Sequence, residues 1–124
     1  MEQYFAADFA EARVKFLKAA EVADVKLWQF EHPLPGPSGE ALGTDIVWLG
    51  AKDARNIVVA GSATHGIEGF CGSGVFTGFL DSGEANDLTA DVRIVMIHAL
   101  NCHGFAWLRR VTEENVDLNR NFVD

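Results

Sequence analysis

The residues best suited to chemistry fall into two short groups. The first is Thr64-His65-Gly66-Ile67-Glu68, placed directly after the apolar run Asn56 to Ala60. A His and a Glu three apart lie on one side of a helical turn, so both can reach one metal ion. Neutral imidazole and carboxylate are standard zinc ligands, and two His plus one Glu form a known catalytic set. The plainer reading is a Glu that favours a helix N-terminus beside an unrelated loop His. A lone His-x-x-Glu does not choose between the two.

The second group runs Trp107-Leu108-Arg109-Arg110 and then Asn115-Val116-Asp117-Leu118-Asn119-Arg120-Asn121-Phe122. Arginine grips a carboxylate through a fork of paired hydrogen bonds, and asparagine can add a further donor. The plainer reading here is a solvated loop whose arginines pair with Glu113 and Glu114.

Both groups need a scaffold. Residues 4 to 20 space Phe5, Phe9, Val14, Phe16 and Leu17 at roughly helical intervals, which predicts an amphipathic helix. Val25, Leu27 and Trp28 to Phe30 predict a strand. Residues 31–43 hold all three prolines and read as a Pro/Gly-rich loop. Thr44 to Leu49, Asn56 to Ala60 and Val92 to Ile97 are Val- and Ile-rich runs, expected to be strands buried on both faces. Ile67 to Leu80, between the last two, has helical length and spacing. Strand, glycine-bearing turn, helix, strand is a βαβ unit, so the class is α/β. Ligands of such sheets collect at the carboxyl ends of the strands. Gly61 to Glu68 leaves one such end and His98 to Gly104 leaves another, so both loops should meet at one crevice. The chain is expected to be a single domain, with residues 1–30 as helix and strand and 44–124 as the core.

Composition narrows the function classes. With 18 acidic against 10 basic side chains the formal charge is −8, which repels phosphate backbones and argues against nucleic acid as a partner. No apolar run approaches the ~20 residues of a membrane span, and the N-terminus lacks the apolar core of a secretory signal. A cytoplasmic setting is therefore expected. Cys71 and Cys102 are too few for a disulfide framework and read as reduced thiols in or near the core.

Taken together, the order of motifs resembles the zinc carboxypeptidase superfamily. The shared features are His-x-x-Glu after a buried strand, the Asn-x-x-Gly turn of Asn101 to Gly104, an Arg, and the Asp-Leu-Asn-Arg-Asn-Phe block of residues 117–122. The likeness spans about Asn56 to Phe122 and points to a poorly characterised bacterial branch. It implies a partial, mixed or parallel central sheet with flanking helices, of the phosphorylase/hydrolase-like type. It also implies zinc held by His65 and Glu68, with Asp117 accepting the other ring N–H of His65. Arg110 would stabilise the oxyanion, with Arg109 as the adjacent alternative, and Asn119 and Arg120 would clamp the substrate carboxylate. The substrate implied is a small peptide or acyl-amino acid with a free carboxylate.

Against that pattern, Cys102 stands where proline is usual in the turn. The third zinc ligand and the general base would lie beyond the Asp-Leu-Asn-Arg-Asn-Phe block, and His32, His98 and His103 do not stand in the matching place. The chain then reads as the N-terminal fragment of a hydrolase, with zinc weak or absent and a homo-oligomer covering an open sheet edge. A non-catalytic carboxylate-binding module, or an inactive remnant, is the alternative. A phosphate-binding loop at Gly61 to Gly74 lacks the required Gly-Lys-Ser/Thr ending. No Gly-x-Ser-x-Gly elbow supports a serine hydrolase.

Overall fold

A computed structural model describes residues 2–122. Helix α1 spans Phe9–Val22 rather than starting at residue 4. The reason is local capping. Asp8 caps the helix by accepting the Glu11 backbone N–H at 2.8 Å, and the Glu11 side chain reaches back to accept the Ala7 N–H, just before the cap, at 2.7 Å. Tyr4 and Phe5 are folded back onto helix α2 (Gly69–Ser82), where the missing side chain of Gly74 makes room for the Phe5 ring. Val14, expected in the core, faces solvent.

Strands β1 (Lys26–Glu31), β2 (Gly43–Gly50), β3 (Asn56–Gly61) and β4 (Val92–His98) form one sheet in the order β1-β2-β4-β3. β2 runs antiparallel to both β1 and β4, whereas β3 and β4 are parallel and joined through α2. The fold is therefore a mixed α/β sheet with flanking helices, containing the expected βαβ unit. A short helix α3 (Cys102–Ala106) follows β4. No helix among the described residues is long and apolar enough to cross a membrane.

The strands are not buried on both faces. Helices α1 and α2 pack against each other and against Val47, Leu49 and Met96 of the sheet, through Phe16, Ala19, Ala20, Phe76 and Leu80. Among the described residues the other face has no such cover, and β2 alternates accordingly, with Val47 and Leu49 buried but Trp48 exposed. At the β3 edge, Ile57, Val58 and Val59 are all more than half exposed. Their β-branched composition gives the local strand; what covers a strand is decided by the layers around it.

A polar network ties the layers together. Arg13 of α1 grips Asp45 of β2 with both a 2.8 Å and a 3.0 Å bond, and Gln29 of β1 adds a third at 3.2 Å. Behind it His98 is fully buried, stacked on Phe16 at 4.3 Å, and shares a 2.9 Å hydrogen bond with Ser73 of α2. The paired donors and acceptors of Arg13, Asp45, Gln29 and Ser73 help fix how α1, α2 and the sheet register.

Candidate functional site

The parallel strands β3 and β4 end at the same edge of the sheet, and their exits are stitched together. Leu100 N–H donates to Ser62 O at 2.9 Å, Asn101 N–H to Ala63 O at 3.0 Å, and Ala99 N–H to Ser62 Oγ at 3.1 Å. Two of the joined residues, Ala63 (φ 56°) and Ala99 (φ 59°), are left-handed without being glycine. Each such residue costs roughly 1–2 kcal/mol, and strain of this kind gathers at functional sites. Leu108 and Asn115 share the conformation, on the segment that carries Arg109, Arg110 and Asp117.

Asn101 then caps α3, accepting the Gly104 N–H at 2.7 Å, so the Asn-x-x-Gly turn is a helix start. Cys102 occupies the first helical position, one that proline also favours. Helix α3 lies on the single 3-10 turn Gly66–Glu68, and a Cβ on Gly66 would overlap the Gly104 backbone. Phe105, fully buried between Phe9 and Phe70, holds this contact from below.

His65 is thereby fixed beside the joined exits of β3 and β4 with both ring nitrogens addressed. Nε2 lies 2.9 Å from Asp117 Oδ1, and Nδ1 lies 3.3 Å from Glu68 Oε1. The second Asp117 oxygen accepts Arg110 Nε–H at 2.9 Å, and Oδ1 also accepts the Asn119 N–H at 2.9 Å. Partial burial acts to raise the Asp117 pKa, but the hydrogen bonds from His65, Arg110 and Asn119 outweigh it and hold the carboxyl at about 2. Asp117 is thus an anion across the ordinary pH range and accepts the Nε2–H of His65. In the neutral ring a proton on Nε2 leaves the Nδ1 lone pair facing the Glu68 carboxylate.

The donor pair fits a metal ion. A tetrahedral zinc with ordinary bond lengths sets its nitrogen and oxygen ligands about 3.4 Å apart, and His65 Nδ1 and Glu68 Oε1 are 3.3 Å apart. Among the described residues, no three His, Cys, Asp or Glu side chains converge to hold a metal. Described residues therefore supply two donors.

Of the residues singled out from sequence, the structure brings His65, Glu68, Asp117 and Arg110 together. It also separates the two arginines. Arg110 meets Asp117, whereas Arg109 Nη2 reaches Asn115 Oδ1 at 3.4 Å. Asn119 joins through its backbone only. The Arg120 side chain turns back to Asn119 O at 2.9 Å, and both residues are exposed.

The remaining histidines and cysteines need corrections. His98 is not in a loop but is the last residue of β4, and burial drives its pKa down to about 4. Ser73, His98 and Asp45 together look like a nucleophile and its helpers, yet none is more than 2% exposed and His98 Nδ1 is 3.9 Å from Asp45, too far for a hydrogen bond. No substrate can reach them. His103 lies in the first turn of α3, buried, stacked on Trp107. Cys102 is buried as expected, but Cys71 is exposed, on the outer face of α2. Sequence also gave no sign that His32 pairs with Glu113 at 3.2 Å, because nothing local links residues so far apart.

Fold and site define an α/β domain with a mixed sheet and a His-x-x-Glu pair at the carboxyl edge of its parallel strands. Residues 5–124 match the family described as a protein of unknown function, DUF2817, and the chain belongs to that family. No curated protein matches it. Among solved structures, it is similar to the Fimbriiglobus ruber glutaminyl cyclase, with a TM-score of 0.51 at 10% identity, over 71% of this chain and 36% of that one. The Macrostomum lignano glutaminyl cyclase matches at 12% identity and a TM-score of 0.46, over 74% of this chain and 31% of that one. The first of these is a likeness of fold; the second is too distant to argue from. The chain spans about a third of the length of these structures.

These findings correct the resemblance to zinc carboxypeptidases. The family is DUF2817, and the Fimbriiglobus ruber structure whose fold the chain resembles is a glutaminyl cyclase. A handful of polar residues at strand ends records which groups meet, and such a constellation does not fix the family or fold that carries it.

Proposed function

We propose that the His65 centre is part of a metal-dependent site for chemistry at an amide carbonyl, hydrolysis or acyl transfer, on a small substrate with a free carboxylate. The observation that supports it most is the His65 ring. Its Nε2–H is given to an anionic Asp117, and its Nδ1 faces Glu68 at 3.3 Å. Two electron-pair donors this close are best satisfied by a cation between them. Zinc is the metal whose ligand preferences suit them. Bound zinc would supply Lewis acidity for a carbonyl oxygen and ease deprotonation of water.

The chain's own groups each have a part. Asp117 orients the His65 ring and strengthens Nδ1 as a donor. Arg110 spends its Nε–H on Asp117, and among the described residues its terminal amino groups make no other hydrogen bond, so they are free to meet a developing oxyanion. The exposed Asn119 and Arg120 side chains suit a substrate carboxylate. By its name, a glutaminyl cyclase acts on a glutaminyl group, whose side chain is an amide. That fold likeness is compatible with the proposal, and the residue geometry carries it.

A non-catalytic carboxylate-binding module is the second reading, favoured by the presence of only two metal donors among the described residues. Titrating zinc chloride into metal-free protein, alongside His65→Ala and Glu68→Gln, tests the first. One zinc per chain, lost in both variants, with turnover of N-acyl amino acids is expected. Carboxylate binding with neither zinc nor turnover would establish the module instead.

A further inference from the structure

We infer that His32 is a positioning residue for the His65 centre, acting through Glu113 on the turn that delivers Asp117. The inference rests on the proposed role of His65. Asp117 lies on a segment without helix or strand, so something must hold that segment in place. Its tip is a closed turn: Thr112 N–H donates to Val116 O at 2.9 Å, Asn115 N–H to Thr112 O at 3.0 Å, and Val116 N–H to Thr112 Oγ1 at 3.2 Å. Glu113 sits inside this turn, and Asp117 follows it directly. Moving Glu113 therefore moves the start of the Asp117 residue.

Glu113 is held from the Pro/Gly-rich loop. His32 Nε2 lies 3.2 Å from Glu113 Oε1, with the His32 side chain 17% exposed. The loop behind it is a firm platform. Its ends are joined by His32 N–H to Leu42 O at 3.0 Å, Gly36 N–H donates to Glu40 O at 2.8 Å, and Leu42 is fully buried. A second strap runs from Trp107 Nε1–H to Pro35 O at 3.4 Å.

The other nitrogen of His32 is provided for in either charge state. Nδ1 lies 3.2 Å from the Leu34 N–H and 3.3 Å from Leu34 O. The neutral ring accepts from the amide and donates Nε2–H to Glu113. The protonated ring donates at both nitrogens, and its bond to Glu113 becomes charge-assisted and stronger. Around it stand Glu113, Glu31, Cys102 and His103, all lining one cavity of about 280 Å³. The His103 ring is 5.8 Å away, and burial lowers its pKa, so it adds no competing cation at neutral pH. Arg109 contributes positive potential on that side. Backbone hydrogen bonding and the nearby His32 lower the Glu113 pKa, so the partner is an anion at neutral pH.

Long-range ¹H–¹⁵N NMR of the His65 ring in metal-free protein provides the test. The native protein should show the Nε2–H tautomer. His32→Ala should give an averaged ring signature, and His32→Gln, which keeps a donor toward Glu113, should restore the native one. Zinc chloride titrations should show roughly three- to tenfold weaker binding for His32→Ala, less than the 10–100-fold expected when a ligand's direct partner is lost. Glu113→Ala, which removes the acceptor at an exposed position, decides the matter if His32→Ala fails to fold. A native His65 signature in folded Glu113→Ala overturns the inference even if zinc binds. A changed signature supports it even if zinc does not, which separates it from the metal reading.

Discussion

His65 Nε2 lies 2.9 Å from Asp117 Oδ1 across 52 residues of chain, and this bond sets the direction in which the other ring nitrogen points. Removing its charge should therefore be felt at Nδ1. Asp117→Asn is expected to weaken zinc binding 10–100-fold while leaving the circular dichroism spectrum unchanged. Isothermal titration with zinc chloride measures it, and equal affinity in the two proteins would count against the arrangement.

Glu68 separates binding from stability. Its side chain is 65% exposed, so Glu68→Gln should change stability by no more than about 0.5 kcal/mol. The same change should abolish stoichiometric zinc uptake. A large drop in the thermal midpoint would instead mean that Glu68 holds the fold.

His98 predicts the acid limb of the stability curve. Burial depresses its folded-state pKa to about 4, against 6.5 in the unfolded chain. For a base with a depressed folded pKa, the unfolded state takes up the proton first. Stability is therefore unaffected by this group above about pH 6.5 and falls progressively toward pH 4, by on the order of 3 kcal/mol. Urea denaturation at pH 7, 5.5 and 4.5 reads the slope, and a folded His98→Gln protein should lose that part of it. Asp117 acts lower down, its stabilisation complete above about pH 4 and lost toward pH 2.

Gly66 tests the meeting of the two strand exits. A methyl there would overlap the Gly104 backbone, which has no side chain to swing aside. Gly66→Ala should cost about 1–3 kcal/mol and disturb His65 beside it. A native thermal midpoint would show that α3 can withdraw freely.

The β3 edge should make the isolated chain self-associate. Ile57, Val58 and Val59 are consecutive, apolar and more than half exposed, with no charge among them to deter pairing. Val59→Lys should lower the mass seen by light scattering at high concentration. A native protein that stays monomeric under the same conditions removes the expectation.

The local grammar of the chain was readable in its residues. β-branched runs marked β2, β3 and β4 to within a residue or so at each end, because strand propensity and bounding turn residues are short-range properties. The same holds for the juxtaposition of His65 with Glu68, which one helical turn guarantees. The contact with Asp117 was anticipated only through a likeness whose family assignment did not hold. What only tertiary packing decided was the strand order, the open second face, the exposure of Cys71 and Val14, and the pairing of His32 with Glu113. Each depends on which surfaces meet across tens of residues, and that is settled by layer packing and long-range hydrogen bonds, which leave no periodic trace along the chain.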